Sequence, residues 1–215
     1  MEAYDIRLCS NFKLFLSGPS ACGKTTFLIN LLENITNFTQ QRIENIIYVY
    51  HTYQKSFSDM KYLVNVFIKD SENLMNDLEK YVTGAPTFIV FDDLLNSKRL
   101  PEIAQFFVVD GRHKNLSLAY TTQKMFINND FFRQISNNCT HFIVFRNVRN
   151  LQEIKILASQ LTPGKKELIE IYQDACRQPY TYLIIYLTQE SPHEVRYLSN
   201  LFDFDHYVTC YKIND

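Results

Sequence analysis

The segment Gly18-Pro19-Ser20-Ala21-Cys22-Gly23-Lys24-Thr25 constrains this chain more than any other, because it fits G-x-x-x-x-G-K-[ST] at every fixed position. Such a loop works in one setting, between a strand that delivers it and a helix that receives it. Both flanks are present. Lys13-Leu14-Phe15-Leu16-Ser17 is a short apolar run, and beyond Lys24 the residues Phe27, Leu28, Leu31, Leu32 and Ile35 recur on one helical face. The glycines let the backbone wrap an anion with its N–H groups pointing inward, and the positive end of the following helix adds to the attraction. Lys24 can reach the β- and γ-phosphates of a nucleotide and the Thr25 hydroxyl can ligate Mg²⁺, so Gly18 to Thr26 is the candidate ATP-binding segment. Cys22 reads two ways: as a thiol acidified by the oriented N–H groups, or as a small filler. On the first reading, alkylating it blocks nucleotide binding.

Strand and helix signals alternate along the rest of the chain. Ile46-Ile47-Tyr48-Val49-Tyr50 is β-branched and aromatic, and Leu63 to Ile68 is a second such run. Glu72 to Val82 reads as a helix stopped by Gly84 and Pro86. Thr87-Phe88-Ile89-Val90-Phe91 is apolar with no polar face, the mark of a strand covered on both sides. Pro101 suits the first turn of a helix running to about Asp110, with Gly111 as its stop. Leu116 to Thr122 and Phe142 to Phe145 are further strands. Asn150 to Leu161 and Lys165 to Arg177 are helices broken by Pro163-Gly164, and Tyr182 to Leu187 closes the sheet. The alternation predicts an α/β fold, a mostly parallel central sheet with helices on both faces. No repeat, low-complexity segment or linker intervenes. Residues 1–215 therefore read as one domain, with a core over about 10–190 and a C-terminal extension over 191–215, either strand-like or a flexible arm.

Composition narrows the function classes. In 215 residues, 46% are hydrophobic, enough for a core, and the net charge of −1 gives no global basic field for coating nucleic acid by bulk charge. No apolar run approaches the roughly 18 residues of a membrane span. The start, Met1-Glu2-Ala3-Tyr4-Asp5, lacks the basic-then-apolar pattern of a signal peptide. The cysteines, five in number, are widely spaced with no CxxC, which speaks against a disulfide framework or a zinc site and for a reducing compartment. The histidines form no metal-ligand pattern.

Asp92-Asp93 directly follows the apolar run ending at Phe91, so the pair sits at the mouth of the sheet beside the phosphate loop. Asp92 is the candidate Mg²⁺ ligand, directly or through water, and Asp93 the group that positions and polarises the attacking water. Leu116 to Thr122 ends at Gln123. If that strand lies between those carrying the loop and the acidic pair, Gln123 points at the γ-phosphate, where an amide can hold the water or sense the phosphate. Gly111-Arg112-His113 precedes the same strand, and Arg112 is open to three readings: a surface cation, an intrachain phosphate ligand, or an arginine finger reaching a neighbour's ATP.

The ordered set of Gly18 to Thr25, Phe88-Ile89-Val90-Phe91-Asp92-Asp93, Gly111-Arg112-His113-Lys114-Asn115, Thr121-Thr122-Gln123 and Asn138-Cys139-Thr140-His141-Phe142 resembles the DNA-packaging ATPases of poxviruses, other large double-stranded DNA viruses and Polinton-like viruses. These are a branch of the FtsK/HerA superfamily, whose fold is a RecA/ASCE-like P-loop NTPase. The resemblance spans about residues 10–190. The Gly-Arg-His segment before a strand ending in Gln is its most specific part. It implies a strand order with the Gln strand between the other two, and a homo-oligomeric ring, pentamer or hexamer, that drives double-stranded DNA into a capsid through a capsid or portal partner. It implies Lys24 and Thr25 on ATP and Mg²⁺, Asp92 on the metal, Asp93 as catalytic carboxylate and Gln123 as γ-phosphate sensor. Arg112 becomes the trans-acting finger, with Arg146 and Arg149 as fallbacks. Many members carry Glu where this chain has Asp93. Lys98-Arg99 and then Lys114 are the candidates for DNA contact. The setting implied is intracellular, a cytoplasmic virus factory or the nucleus, with virion association open. Competing readings are a helicase-like DNA translocase, a P-loop nucleotide kinase, and a nucleotide-dependent assembly module without turnover. The kinase usually needs an arginine-rich lid, whereas Arg112, Arg133, Arg146 and Arg149 are scattered.

Overall fold

The computed structural model describes residues 4–161, 165–202 and 207–213, with Arg112 and Lys165 described by their backbone alone. A nine-stranded sheet runs through the molecule in the order β3-β2-β4-β5-β1-β6-β7-β8-β9. Its strands are β1 (Lys13–Ser17), β2 (Asn45–Tyr50), β3 (Val66–Lys69), β4 (Thr87–Asp92), β5 (Leu116–Thr122), β6 (His141–Phe145), β7 (Tyr182–Tyr186), β8 (Tyr197–Ser199) and β9 (Thr209–Tyr211). Every pairing from β3 to β6 is parallel, and every pairing from β6 to β9 is antiparallel.

Period-two alternation divides the strand residues between two apolar layers. Phe15, Ile89, Phe91, Leu118, Tyr120 and Val144 face one layer, shared with α3 (Leu74–Glu79), α4 (Leu100–Gln105), α6 (Asp130–Asn137), α7 (Gln152–Leu161) and α8 (Lys165–Ala175). Leu14, Leu16, Phe88, Val90, Ala119 and Phe145 face the other, against α1 (Lys24–Glu33) and α2 (Ile35–Phe38). Every residue of β1, β4, β5 and β6 is buried, which is why these strands are predominantly apolar and show no alternating polar face. Each fully buried Phe or Leu contributes roughly 1.5–3 kcal/mol of transfer free energy, so this central block anchors whatever sits on its ends.

Three expectations are corrected. The sheet does not end at β7, because β8 and β9 continue it, and the segment after Pro192 is partly strand. A helix absent from the sequence reading, α6, fills the connection between β5 and β6; the Asn129 side chain caps it by accepting from the Phe132 N–H at 3.0 Å. Gly111 does not stop the helix before it. After Gln105 the backbone widens into a π-helical stretch, Phe106–Asp110, and passes through Gly111 into a short helical turn, α5 (Gly111–His113). The Gly111 N–H bonds to the Phe106 carbonyl instead of the Phe107 carbonyl, and the ammonium of buried Lys13 donates to the Phe107 oxygen left over. A glycine suits the position, because a Cβ would lie a tight 3.0 Å from Lys13 Cε and 3.2 Å from the Phe106 oxygen. The Pro163-Gly164 break lies outside the described residues.

Candidate active site

Parallel strands place all their carboxyl ends on one edge of the sheet, and the interior order β4-β5-β1 puts three functional segments side by side there. The strand ending in Gln123 thus lies between the other two. The phosphate loop leaves β1, the acidic pair leaves β4 and Gln123 leaves β5. They enclose a cleft of about 330 Å³, lined by Ser20, Ala21, Gly23, Lys24, Thr25, Thr26, Gln54, Asp92, Asp93, Thr121, Gln123 and Tyr180.

Asp92, the last residue of β4, is buried at 7% exposure, and burial raises its pKa above the usual carboxylate range. The Thr121 hydroxyl donates to its Oδ1 at 2.5 Å and the Lys24 charge lies near, both opposing that rise, while the charge of Asp93 adds to it. The Tyr48 hydroxyl faces the same carboxylate without a hydrogen bond of normal geometry. Asp93 turns out of the strand with φ 52° and is exposed; its N–H donates to Thr121 Oγ1 at 3.0 Å. The Gln123 amide donates to Asp93 Oδ2 at 3.0 Å. Thr121 therefore braces both aspartates, and Gln123 is tied to the outer one. One carboxylate is held dry and the other is presented to the cleft.

Within the loop, Gly18 and Gly23 are required for different reasons. A Cβ on Gly18 would lie 2.7 Å from both Cys22 Sγ and Phe145 Cβ, whereas Gly23 has φ 109°, which side chains rarely adopt. The Lys24 ammonium donates to the carbonyls of Gly18 at 2.6 Å and Pro19 at 2.9 Å, which hold it against the loop. Cys22 is buried, and burial pushes its thiol up despite the nearby Lys24 charge. Of its two readings, the filler fits.

Among the described residues, six non-glycine residues have positive φ: Asn11, Ala21, Asp93, Asn115, Tyr180 and Asn200. Asparagine tolerates that conformation. The three that are not asparagine all line the cleft.

The candidate arginines divide between the two edges of the sheet. Gly111 packs against Lys13 and Leu118, near the amino ends of β1 and β5, so the Arg112 backbone lies at the edge opposite the phosphate loop; the Arg112 side chain lies outside the described residues. Strands of this length separate the edges by roughly 15–20 Å, which leaves no room for Arg112 as a ligand to its own chain's nucleotide. Arg146 and Arg149 follow β6 on the cleft's own edge. Lys98 is exposed after the acidic pair, while Arg99 is committed to Glu102 at 3.0 Å and the Glu72 carbonyl at 3.1 Å. Lys114 pairs with Asp110 at 3.4 Å on the opposite edge. Sequence reasoning missed Gln54, Thr121 as a brace, and Tyr180; only the fold brings them to the cleft.

The family profile described as "Poxvirus A32 protein" matches residues 3–206. The chain belongs to the poxvirus A32 family. The resemblance read from the motif series is thereby borne out, and the fold agrees with it. This A32-family chain is similar to the genome packaging NTPase B204 of Sulfolobus turreted icosahedral virus 2 in complex with AMPPCP, with a TM-score of 0.57 and 18% identity over 84% of this chain and 95% of that one. The same NTPase in complex with AMP gives 0.54 and 16% over 94% and 96%. The cytoplasmic domain of the Thermomonospora curvata type VII secretion ATPase EccC gives 0.52 and 15%, over 84% of this chain and 24% of that one. At these identities the likeness establishes the shared fold, that of a P-loop NTPase. No curated protein matches the chain significantly. Among the described residues, no helix is long and apolar enough to cross a membrane.

Proposed function

We propose that this chain is an ATP-hydrolysing motor that drives double-stranded viral DNA into a capsid, working in infected cells as a ring of five or six copies. The observation that carries the reading is the meeting of Lys24-Thr25, Asp92-Asp93 and Gln123 around one cleft in a chain of the A32 family. The B204 structures, a genome packaging NTPase with AMPPCP and ATP-gammaS, support nucleotide binding in the same fold.

Lys24 exchanges its loop carbonyls for the β- and γ-phosphates, and the loop N–H groups hold the rest of the chain of phosphates. Thr25 and Asp92 supply two oxygen donors, and among the described residues no cluster of three or more His, Cys, Asp or Glu offers a cage made of protein alone. That is the donor set Mg²⁺ takes when phosphates complete its shell; once bound, it neutralises charge on the transferring phosphate. Asp93 accepts a proton from the attacking water, and Gln123, bonded to Asp93, orients that water or reads the γ-phosphate. Arg146 or Arg149 is the better trans-acting finger, since each belongs to the edge that carries the cleft; Arg112 would need a neighbour docked against the far edge. Lys98 is the better DNA contact, because Arg99 and Lys114 are already paired.

The test is ATP turnover across a range of protein concentrations with no DNA, duplex DNA or single-stranded DNA, comparing wild type with Lys24→Ala, Arg112→Ala and the double Arg146→Ala/Arg149→Ala. Turnover that rises with concentration and duplex DNA, and falls about 10²–10³-fold in Lys24→Ala and in the double variant, is the expected result. Turnover independent of concentration and of DNA would leave a P-loop enzyme and remove the motor; phosphate transfer to a nucleoside monophosphate would then favour the kinase.

A further inference from the structure

Tyr180 stands out for its backbone, its exposure and its position. It has φ 64°, the left-handed region, and it is a bulky residue of a type that rarely goes there. It belongs to the tight turn Gln178-Pro179-Tyr180-Thr181, in which the Thr181 hydroxyl donates to the Gln178 carbonyl at 2.7 Å. Proline at the second position and positive φ at the third is the pattern of a type II turn, and that third position ordinarily holds glycine or asparagine. A strained residue kept where glycine would be relaxed points to a use for its side chain.

The turn is fixed to the nucleotide edge. The Arg146 N–H donates to the Thr181 carbonyl at 3.0 Å, joining it to the end of β6. A Cβ on Gly23 would lie 3.6 Å from the Tyr180 carbonyl oxygen and 3.7 Å from its Cβ, so Tyr180 sits directly against the phosphate loop. It nevertheless remains 71% exposed, and it lines the same cleft as Lys24 and Asp93. Direction completes the case. Asp92, Asp93 and Gln123 lie at the carboxyl ends of β4 and β5, on one side of β1, and they take the γ-phosphate end of a nucleotide. The ribose and base must run from the loop toward the other side, where β6 and β7 lie and where Tyr180 leads into β7.

We infer that Tyr180 is the platform on which the base of the bound nucleotide stacks. The inference rests on the nucleotide-binding reading of the cleft. Stacking uses a π-face that every base has, so Tyr180 holds the base without choosing which one.

The experiment is calorimetric titration of the full chain with ADP, GDP and tripolyphosphate, which has the phosphates and no base. Wild type is compared with Tyr180→Phe and Tyr180→Gly. Tyr180→Gly removes the ring while accepting the positive φ, so its melting temperature should equal or exceed that of wild type and loss of fold cannot explain a change in binding. The expected result is about tenfold weaker binding of both ADP and GDP in Tyr180→Gly, unchanged tripolyphosphate binding, and wild-type behaviour in Tyr180→Phe. ADP binding unaltered in Tyr180→Gly would overturn the inference. So would equal weakening of ADP and tripolyphosphate, which would mean that Tyr180 shapes the loop. Wild type binding tripolyphosphate as tightly as ADP would also overturn it while leaving the phosphate-loop reading intact. Wild type binding neither would overturn both.

Discussion

At the carboxyl edge of the sheet, Ala21, Asp93 and Tyr180 hold positive φ, and Asp92 is a carboxylate raised in pKa by its own burial. At the amino edge the chain also buries a charge, Lys13, but a π-helical turn frees the Phe107 carbonyl for it and Gly111 makes the space. The same fold thus treats two difficult groups in opposite ways. One edge relieves its cost locally with a glycine and a spare acceptor, as a structural site should. The other leaves residues strained and a carboxylate poorly solvated, the condition in which a bound metal and phosphates would bring relief.

Asp92→Asn is the sharpest way to break this contrast. It should cut ATP turnover about 10²-fold or more by removing the proposed metal ligand. It should also stabilise the ligand-free protein at neutral pH. Because the folded-state pKa is raised, the unfolded chain ionises at this residue first, so the contribution of Asp92 to stability is most favourable below the ordinary carboxylate pKa and is lost as pH rises through the elevated one. The melting temperatures of Asp92→Asn and wild type should coincide in acid and separate by on the order of a few degrees, with the variant higher, near pH 7. A variant less stable than wild type at pH 7 would show that Asp92 is structural.

Gly111→Ala probes the other edge. Its Cβ would push on Lys13 Cε and the Phe106 carbonyl, so denaturant melts should show a loss of about 1–3 kcal/mol. Nucleotide affinity should be unchanged. A loss of affinity matching the loss of stability would mean the two edges are coupled. The smallest effect concerns Cys22. Iodoacetamide should label exposed Cys210 before buried Cys22, read by peptide mass mapping, because only local opening exposes the Cys22 thiol. Protein alkylated at Cys22 should then lose nucleotide binding on steric grounds, since Cys22 Sγ already fills the space beside Gly18. Rapid labelling of Cys22 would restore the reactive-thiol reading.

Legibility followed burial. β1, β4 and β5 were readable almost to the residue because strands covered on both faces are rich in apolar and β-branched residues with no charged face, and the loop motif fixed the residues at the end of β1. Helix α6 was not readable, because only Phe132 and Ile135 on it are buried and its clearest mark is the cap at Asn129. β8 and β9 are three residues each, too short for a period to show. Gly111 read as a stop since glycine ordinarily ends helices, but its reason is a contact with Lys13, distant in sequence. Lys24, Asp92, Asp93 and Gln123 could be singled out as candidates because each lies at or beyond the carboxyl end of a legible strand. Thr121 sits inside one, and Gln54 and Tyr180 sit in turns, so nothing local marks them.

The cleft as a single catalytic unit is tested most directly by a double-mutant cycle on ATP turnover with Asp93→Ala, Gln123→Ala and the two combined. With the Gln123 amide on Asp93 Oδ2 at 3.0 Å, the pair should act together: each single variant loses most of the rate, and the double is no worse than the weaker single. Losses that multiply, or a Gln123→Ala variant as active as wild type, would contradict it.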